Sequence, residues 1–147
     1  MLNRCLLAAC AFLVLLAGCA APGPKFSGLK PVANDKANVY VYRQSALFAI
    51  AQSFTVDVDK KPVGEIFNAS YLMLEVPAGK HVIGVRPGLM APHFAYSVTA
   101  DAGKNYFLEF DMNSGPLANL FFVGSEIKQR DQAKAMNEMA EMKSAKQ

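Results

Sequence analysis

Cysteine is missing from everything beyond position 19: the three in the chain stand at 5, 10 and 19. Once a leader ending at residue 18 is removed, no disulfide and no free thiol remain to staple a fold, attack a substrate or hold a metal, and stability must rest on packing. Histidine is nearly as scarce. His81 and His93 are the only two, and neither has cysteine or acidic neighbours at metal-ligand spacing, so both read as structural or surface imidazoles. Charge is thin as well. Lysine and arginine number 15 against 12 acidic residues, a formal net charge of +3, and the lysines are scattered, which argues against a nucleic-acid surface or a polybasic membrane patch. No serine stands in an elbow sequence, and Gly23, Gly28 and Gly64 make no phosphate loop. The carboxylates of Asp57 and Asp59, directly before Lys60 and Lys61, read as a hairpin surface and not as an acid/base pair. The chain is expected to be no enzyme, with no catalytic residue, cofactor or metal site.

What the sequence does carry begins at its start. Arg4 precedes an apolar run over residues 5–16, too short for a permanent membrane span and built like the charged and apolar regions of a secretory signal. It ends in Leu16-Ala17-Gly18-Cys19, which resembles the bacterial lipoprotein box, in which the cysteine is acylated and becomes the new N-terminus. The resemblance implies lipidation, palmitate included, at Cys19, and hence attachment to the lipid bilayer; several acyl chains on one residue exceed what stable anchoring needs, at about 0.8 kcal/mol per buried methylene. Position 20 is Ala and not Asp, which by the same resemblance points to the periplasmic face of the outer membrane. Three prolines and two glycines within residues 20–31 read as a flexible tether.

The domain itself reads as β. In Asn38-Val39-Tyr40-Val41-Tyr42-Arg43 both alternating sets are apolar or aromatic, the pattern of a central strand covered on both faces. Residues 44–51 read as a loop. Phe54, Val56 and Val58 then alternate with polar neighbours; a turn follows at Asp59-Lys60-Lys61-Pro62, and further strands at residues 63–67, 71–76, 81–86 and 94–99. In the last of the regular strands Tyr106, Leu108 and Phe110 oppose Phe107, Glu109 and Asp111, placing Leu108 in the core and Glu109 in solvent. Short strands, tight turns and no intervening helix predict an all-β fold: a small antiparallel β-sandwich of about seven to eight strands with a C-terminal helical extension.

The series Asn38 to Arg43, Phe54 to Glu65, Val76-Pro77-Ala78-Gly79-Lys80-His81 and Ala102 to Leu108 resembles the DUF2846 family of small bacterial envelope domains over about residues 36–127. The family is similar in pattern to PEGA-type modules, whose Pro-x-Gly-x-His turn opens a strand of a small sandwich. The resemblance implies fold and envelope location; it brings no reaction, substrate or ligand.

The organisation expected is therefore a lipoprotein signal at 1–18, an acylated cysteine and tether at 19–36, a sandwich domain at 37–127 and a helical tail at 128–147. From Glu126 to Gln147 there is no Leu, Val, Phe or Tyr, and Met136, Met139 and Met142 drift around a helix instead of stacking, filling space without specifying it. Those methionines, with the loop residues Leu89 and Met90, are the candidate interaction surface. The function expected is a lipid-anchored, non-enzymatic interaction or structural module with an envelope protein partner. The alternative is a carrier or sensor of a small hydrophobic ligand bound in or beside the sandwich.

Overall fold

The computed structural model describes residues 21–47, 49–88, 93–112 and 124–145. Among these the strands follow in chain order as β1 (Lys36–Arg43), β2 (Phe54–Val58), β3 (Lys61–Ile66), β4 (Ser70–Pro77), β5 (Gly79–Arg86), β6 (Phe94–Ala100), β7 (Asn105–Asp111) and β8 (Glu126–Arg130), then helix α1 (Gln132–Met139) and the two-residue β9 (Lys143–Ser144). They form two sheets, a five-stranded one in the order β8-β7-β1-β4-β9 and a four-stranded one in the order β3-β2-β5-β6. The expected sandwich with a C-terminal helix is the fold observed. It is mixed and not wholly antiparallel: β1 runs parallel to β7, with Val41 opposite Leu108, and β4 runs parallel to β9.

The core lies between the sheets. Alternation along each strand sends Ala37, Val39 and Val41 of β1, Phe54 and Val56 of β2, and Leu108 and Phe110 of β7 into it, all at most 2% exposed, as period-two patterning requires. The Phe54 and Phe110 rings meet edge-on at 5.4 Å. Fully burying such side chains stabilises by about 1.5–3 kcal/mol each.

The outer face of the five-stranded sheet is covered too. Tyr40, Tyr42, Tyr71 and Phe107 pack there against Ala135 and Met139 of α1 and against Met142, and the Tyr40 and Phe107 rings stack at 5.4 Å. This makes β1 the central, doubly buried strand its sequence describes. It also overturns the placing of Glu109 in solvent. Leu108 faces inward as expected, but Glu109, 3% exposed, accepts hydrogen bonds from Arg130 Nε at 2.6 Å and Gln44 Nε2 at 2.5 Å. The strand phase is right; the outer side of the strand is simply not water.

The two flanking segments differ from expectation for the same reason. Residues 21–31 do not hang free as a tether. Gly23 N donates to Ser144 O at 2.9 Å, Ser144 N to Pro24 O and Phe26 N to Met142 O at 2.8 Å. Asn38 Nδ2 grips Lys30 O, Lys30 N donates to the Tyr40 hydroxyl, and the Phe26 ring meets Tyr71 edge-on at 5.4 Å. The prolines and glycines shape a folded strap whose apolar side chains, Phe26 and Leu29, join the outer cluster. In the C-terminal segment, residues 126–130 are strand, since pairing with β7 outweighs helix propensity. The helix starts after Asp131, whose side chain caps Lys134 N at 2.9 Å, and the chain is strand again at Lys143.

Candidate interaction cleft

Antiparallel and parallel pairing together send all strand connections to two ends of the sandwich. At one end are the β2–β3 turn, the β4–β5 turn and the β6–β7 turn. The first is closed by Asp59 and Lys60, both at positive φ, 51° and 68°, directly between the paired Val58 and Lys61. Two left-handed residues between paired strand ends match the twist a hairpin needs. Asp59 tolerates the conformation because its carboxylate accepts from Val82 N at 2.8 Å while its own N–H donates to Val82 O at 2.8 Å, which ties the hairpin to β5.

Beside this turn the edge strand β3 and the part of β4 beyond its pairing with β9 leave a cleft of about 840 Å³. Val58, Val63, Leu74 and Val76 supply its apolar floor; Lys36, Asp59, Lys61, Glu75 and His81 are among its lining residues and supply the charge. Four of these five are paired: Lys36 Nζ lies 3.1 Å from Glu75 Oε2, and His81 Nδ1 lies 2.8 Å from Asp59 Oδ2. The second His81 nitrogen lies 3.0 Å from Pro77 O, so both ring nitrogens face oxygen atoms. The Val82 amide, first, and His81, second, hold the Asp59 carboxyl below its ordinary 3.8. An apolar floor with a polar rim suits a side chain or hydrocarbon fragment. Among the described residues that line the cleft, no nucleophile and base are aimed at one point.

A second polar cluster lies on the outer face of the four-stranded sheet. Asp57 is 1% exposed, with Oδ2 at 3.0 Å from His93 Nε2 and 3.6 Å from Arg86 Nη2. It fits only because residue 84 on the neighbouring strand has no side chain: a Cβ at Gly84 would stand 2.2 Å from His93 Nε2 and 2.4 Å from Asp57 Oδ1. The solvated hairpin surface expected for Asp57 is thus corrected, since His93 returns over the sheet and covers it. The reach of a residue thirty-six positions away leaves no local pattern to find.

A third buried charge is Arg43. Its guanidinium stacks 4.5 Å from the Phe54 ring centroid and donates to Gln52 O at 3.0 Å and Ala49 O at 2.9 Å. Burial pulls it down to about 10, and its work is to hold the β1–β2 loop.

Of the candidate surface residues, Met139 and Met142 are buried at 0% and 4% against the domain's own tyrosines, so they are core and not a free face; Met136 is half-buried. Burial first, and the Glu138 carboxylate at 2.5 Å second, raise the Tyr42 hydroxyl, a polar bolt between helix and sheet. Cys19, Leu89 and Met90 lie outside the described residues. Among the described residues no group of three or more His, Cys, Asp or Glu could hold a metal ion, and no helix is long and apolar enough to cross a membrane.

A family model described as a protein of unknown function, DUF2846, matches residues 33–125. No curated protein and no solved structure matches the chain.

Proposed function

The chain belongs to the DUF2846 family, and from that premise we propose that it is a non-enzymatic, lipid-anchored interaction module of the bacterial cell envelope. In this reading Cys19 carries the acyl chains, the outer membrane holds the protein on its periplasmic face, and the cleft between β3 and β4 receives a protein partner. The cleft carries the proposal: its floor is apolar, its rim is charged, and four of its charged or titratable groups are tied to one another as Lys36–Glu75 and His81–Asp59. Such a site holds a partner without transforming it.

Two measurements test the two halves separately. Radioactive palmitate should label the wild type and not Cys19→Ser; equal labelling of both removes the anchor. A photo-crosslinking residue at Lys61, on the cleft rim, should give a discrete adduct in cells that Val63→Arg abolishes, while the same residue at Ser97, on the outer face, gives none with another protein. Equal adducts from both positions remove the cleft.

The volume of the cleft favours one further reading, a carrier of a small hydrophobic ligand, since about 300–1,000 Å³ is the range such pockets occupy. Native mass spectrometry of the protein from its own envelope distinguishes the two: a constant small-molecule adduct, lost in Val63→Arg, makes it a carrier.

A further inference from the structure

Two open sheets leave edge strands, and an edge strand offers unpaired N–H and C=O groups to any other strand unless its sequence prevents pairing. Most edges here are guarded. β3 carries Pro62, which has no N–H, and the charged Lys61 and Glu65, and a register shift interrupts its pairing with β2. β8 carries Glu126, Lys128 and Arg130. β9 has two residues, and Lys25 of the strap bridges Lys143 within it. The part of β4 beyond β9 ends in Glu75, Val76 and Pro77.

β6 is the exception. Phe94-Ala95-Tyr96-Ser97-Val98-Thr99-Ala100 holds no charge, proline or glycine, and it pairs with β5 from Phe94 to Ala100 without a shift. Among the described residues no strand pairs with its far side. β8 stands across the corner and meets it through the Tyr96 hydroxyl, 3.1 Å from Gln129 Oε1, without a ladder. Alternation tells which backbone groups are open. On β5, Val82 turns its backbone toward β2, since its carbonyl accepts from Asp59 N and its N–H donates to Asp59 Oδ1. His81 and Ile83 therefore bond in the other direction, to Val98 and Tyr96. The N–H and C=O groups of Ala95, Ser97 and Thr99 are left aimed at the open edge.

We propose that two copies of this chain pair through β6, antiparallel about a two-fold axis at Ser97, and so join their four-stranded sheets edge to edge. In that register the strand is complementary to itself. Ser97 lies opposite Ser97 of the second copy, and Ala95 opposite Thr99 on either side of the axis. These are the residues with open backbone groups, so each such pair exchanges two hydrogen bonds. On the core face, Phe94 meets Ala100 and Tyr96 meets Val98, a large side chain beside a smaller one each time. Phe94 and Tyr96 are only partly buried in a single copy and gain cover from the second. An axis at Tyr96 or Val98 brings together backbone groups already bonded to β5, and an axis at Ala95 or Thr99 shortens the overlap. A strand without charge gives a foreign partner no sign to recognise, whereas a two-fold contact asks only that each residue suit its counterpart, with no like charges opposed. β3 is the opposite edge of the same sheet, so the clefts of both copies stay open. The inference goes beyond the proposed function and rests on neither the cleft nor the anchor.

The test uses the full chain. Two copies with different C-terminal tags, one of them histidine, are expressed in the same cells, extracted in nonionic detergent and captured on nickel, and the second tag is measured. Wild type should retain it. Ser97→Pro in both copies should reduce recovery to background, because the lost N–H is one that faces solvent in a single copy, where an edge strand tolerates proline. Ser97→Lys in both copies, or Ser97→Glu in both, sets like charges directly opposite and should lower recovery about fivefold. One copy with Ser97→Lys and the other with Ser97→Glu should restore it, which a misfolded variant does not do. Absence of the second tag in wild type overturns the proposal, as does a Lys/Glu combination no better than Lys/Lys. Equal recovery in all strains assigns the contact to another surface and overturns it too.

Discussion

The two sheets of this sandwich share one core and differ in what lies behind them. The five-stranded sheet has a second cluster on its back, made by α1, Met142 and the N-terminal strap; the back of the four-stranded sheet is covered at Asp57 by His93 and open to water along β6, where Ala95, Ser97 and Thr99 are exposed. β1 in the first sheet therefore has no permissive side, and β6 in the second has one. Polar residues follow the same division. Glu109 on the covered back must be paired with Arg130 and Gln44, whereas Glu65 on β3 is exposed.

The comparison can be broken at several strengths. Leu108→Ala should cost about 3–5 kcal/mol in denaturant melts, the range for emptying a fully buried site, against at most about 0.5 kcal/mol for Ser97→Ala on the open back. Met139→Ala should cost about 2–4 kcal/mol, and amide exchange should show α1 protected like the strands; free exchange of the helix with a negligible loss would mean that the back of the first sheet is covered only in passing. Glu109→Ala should cost about 2–3 kcal/mol, because it leaves Arg130 and Gln44 without their acceptor, while Glu65→Ala stays within about 0.5 kcal/mol. Equal effects would erase the difference between the sheets.

A weaker effect is read by pH. The Asp59 carboxyl titrates below 3.8 in the folded protein, so its contribution is fully present above 3.8 and is lost as pH falls through the lower folded value. Asp59→Asn keeps a side chain tolerated at positive φ and should flatten the stability profile on that acid limb, leaving it unchanged near neutrality apart from a constant offset. An unaltered slope would mean that the turn is held by its backbone bonds alone. Smallest is Lys60→Gly, which relieves a left-handed lysine at φ 68° and should stabilise by about 0.5–1 kcal/mol, since a left-handed position favours glycine. Destabilisation there would show the lysine side chain to have a role in the hairpin.

Residue patterns carried the inner half of this structure. Period-two alternation put Val56 and Leu108 in the core and made β1 a doubly covered strand before any pairing was known, because alternation is local and each residue bears its own signal. The parallel β1–β7 contact was not legible, since strand direction is set by connections of different length and nothing in Val41 or Leu108 encodes its partner. The strap was misread for a related reason. Proline and glycine report that a segment is not helix or central strand, but not whether Phe26 finds Tyr71. The methionines of the C-terminal segment stood as a candidate interaction surface because their spacing names no partner; a helix with no leucine still buries Ala135 and Met139 when tyrosines wait for it. In the cleft, the Pro-x-Gly-x-His turn was visible as a turn; that His81 bridges Asp59 and Pro77 depends on the neighbouring hairpin and is written in no single segment.

The hydrogen bonds between Gly23, Pro24 and Ser144 join the first described residues to the last. As the chain emerges, from ribosome or translocon, the four-stranded sheet is complete once Ala100 is out, and β1 already has β4. The strap's first residues, Gly23 to Phe26, have no backbone partner until Met142 and Ser144 arrive, and β1 waits for β7 on its other side. For the time it takes to deliver those remaining residues, the tyrosines of β1 face outward on an unfinished sheet. A chaperone or a neighbouring surface has its opportunity then, and the last strand to arrive closes it.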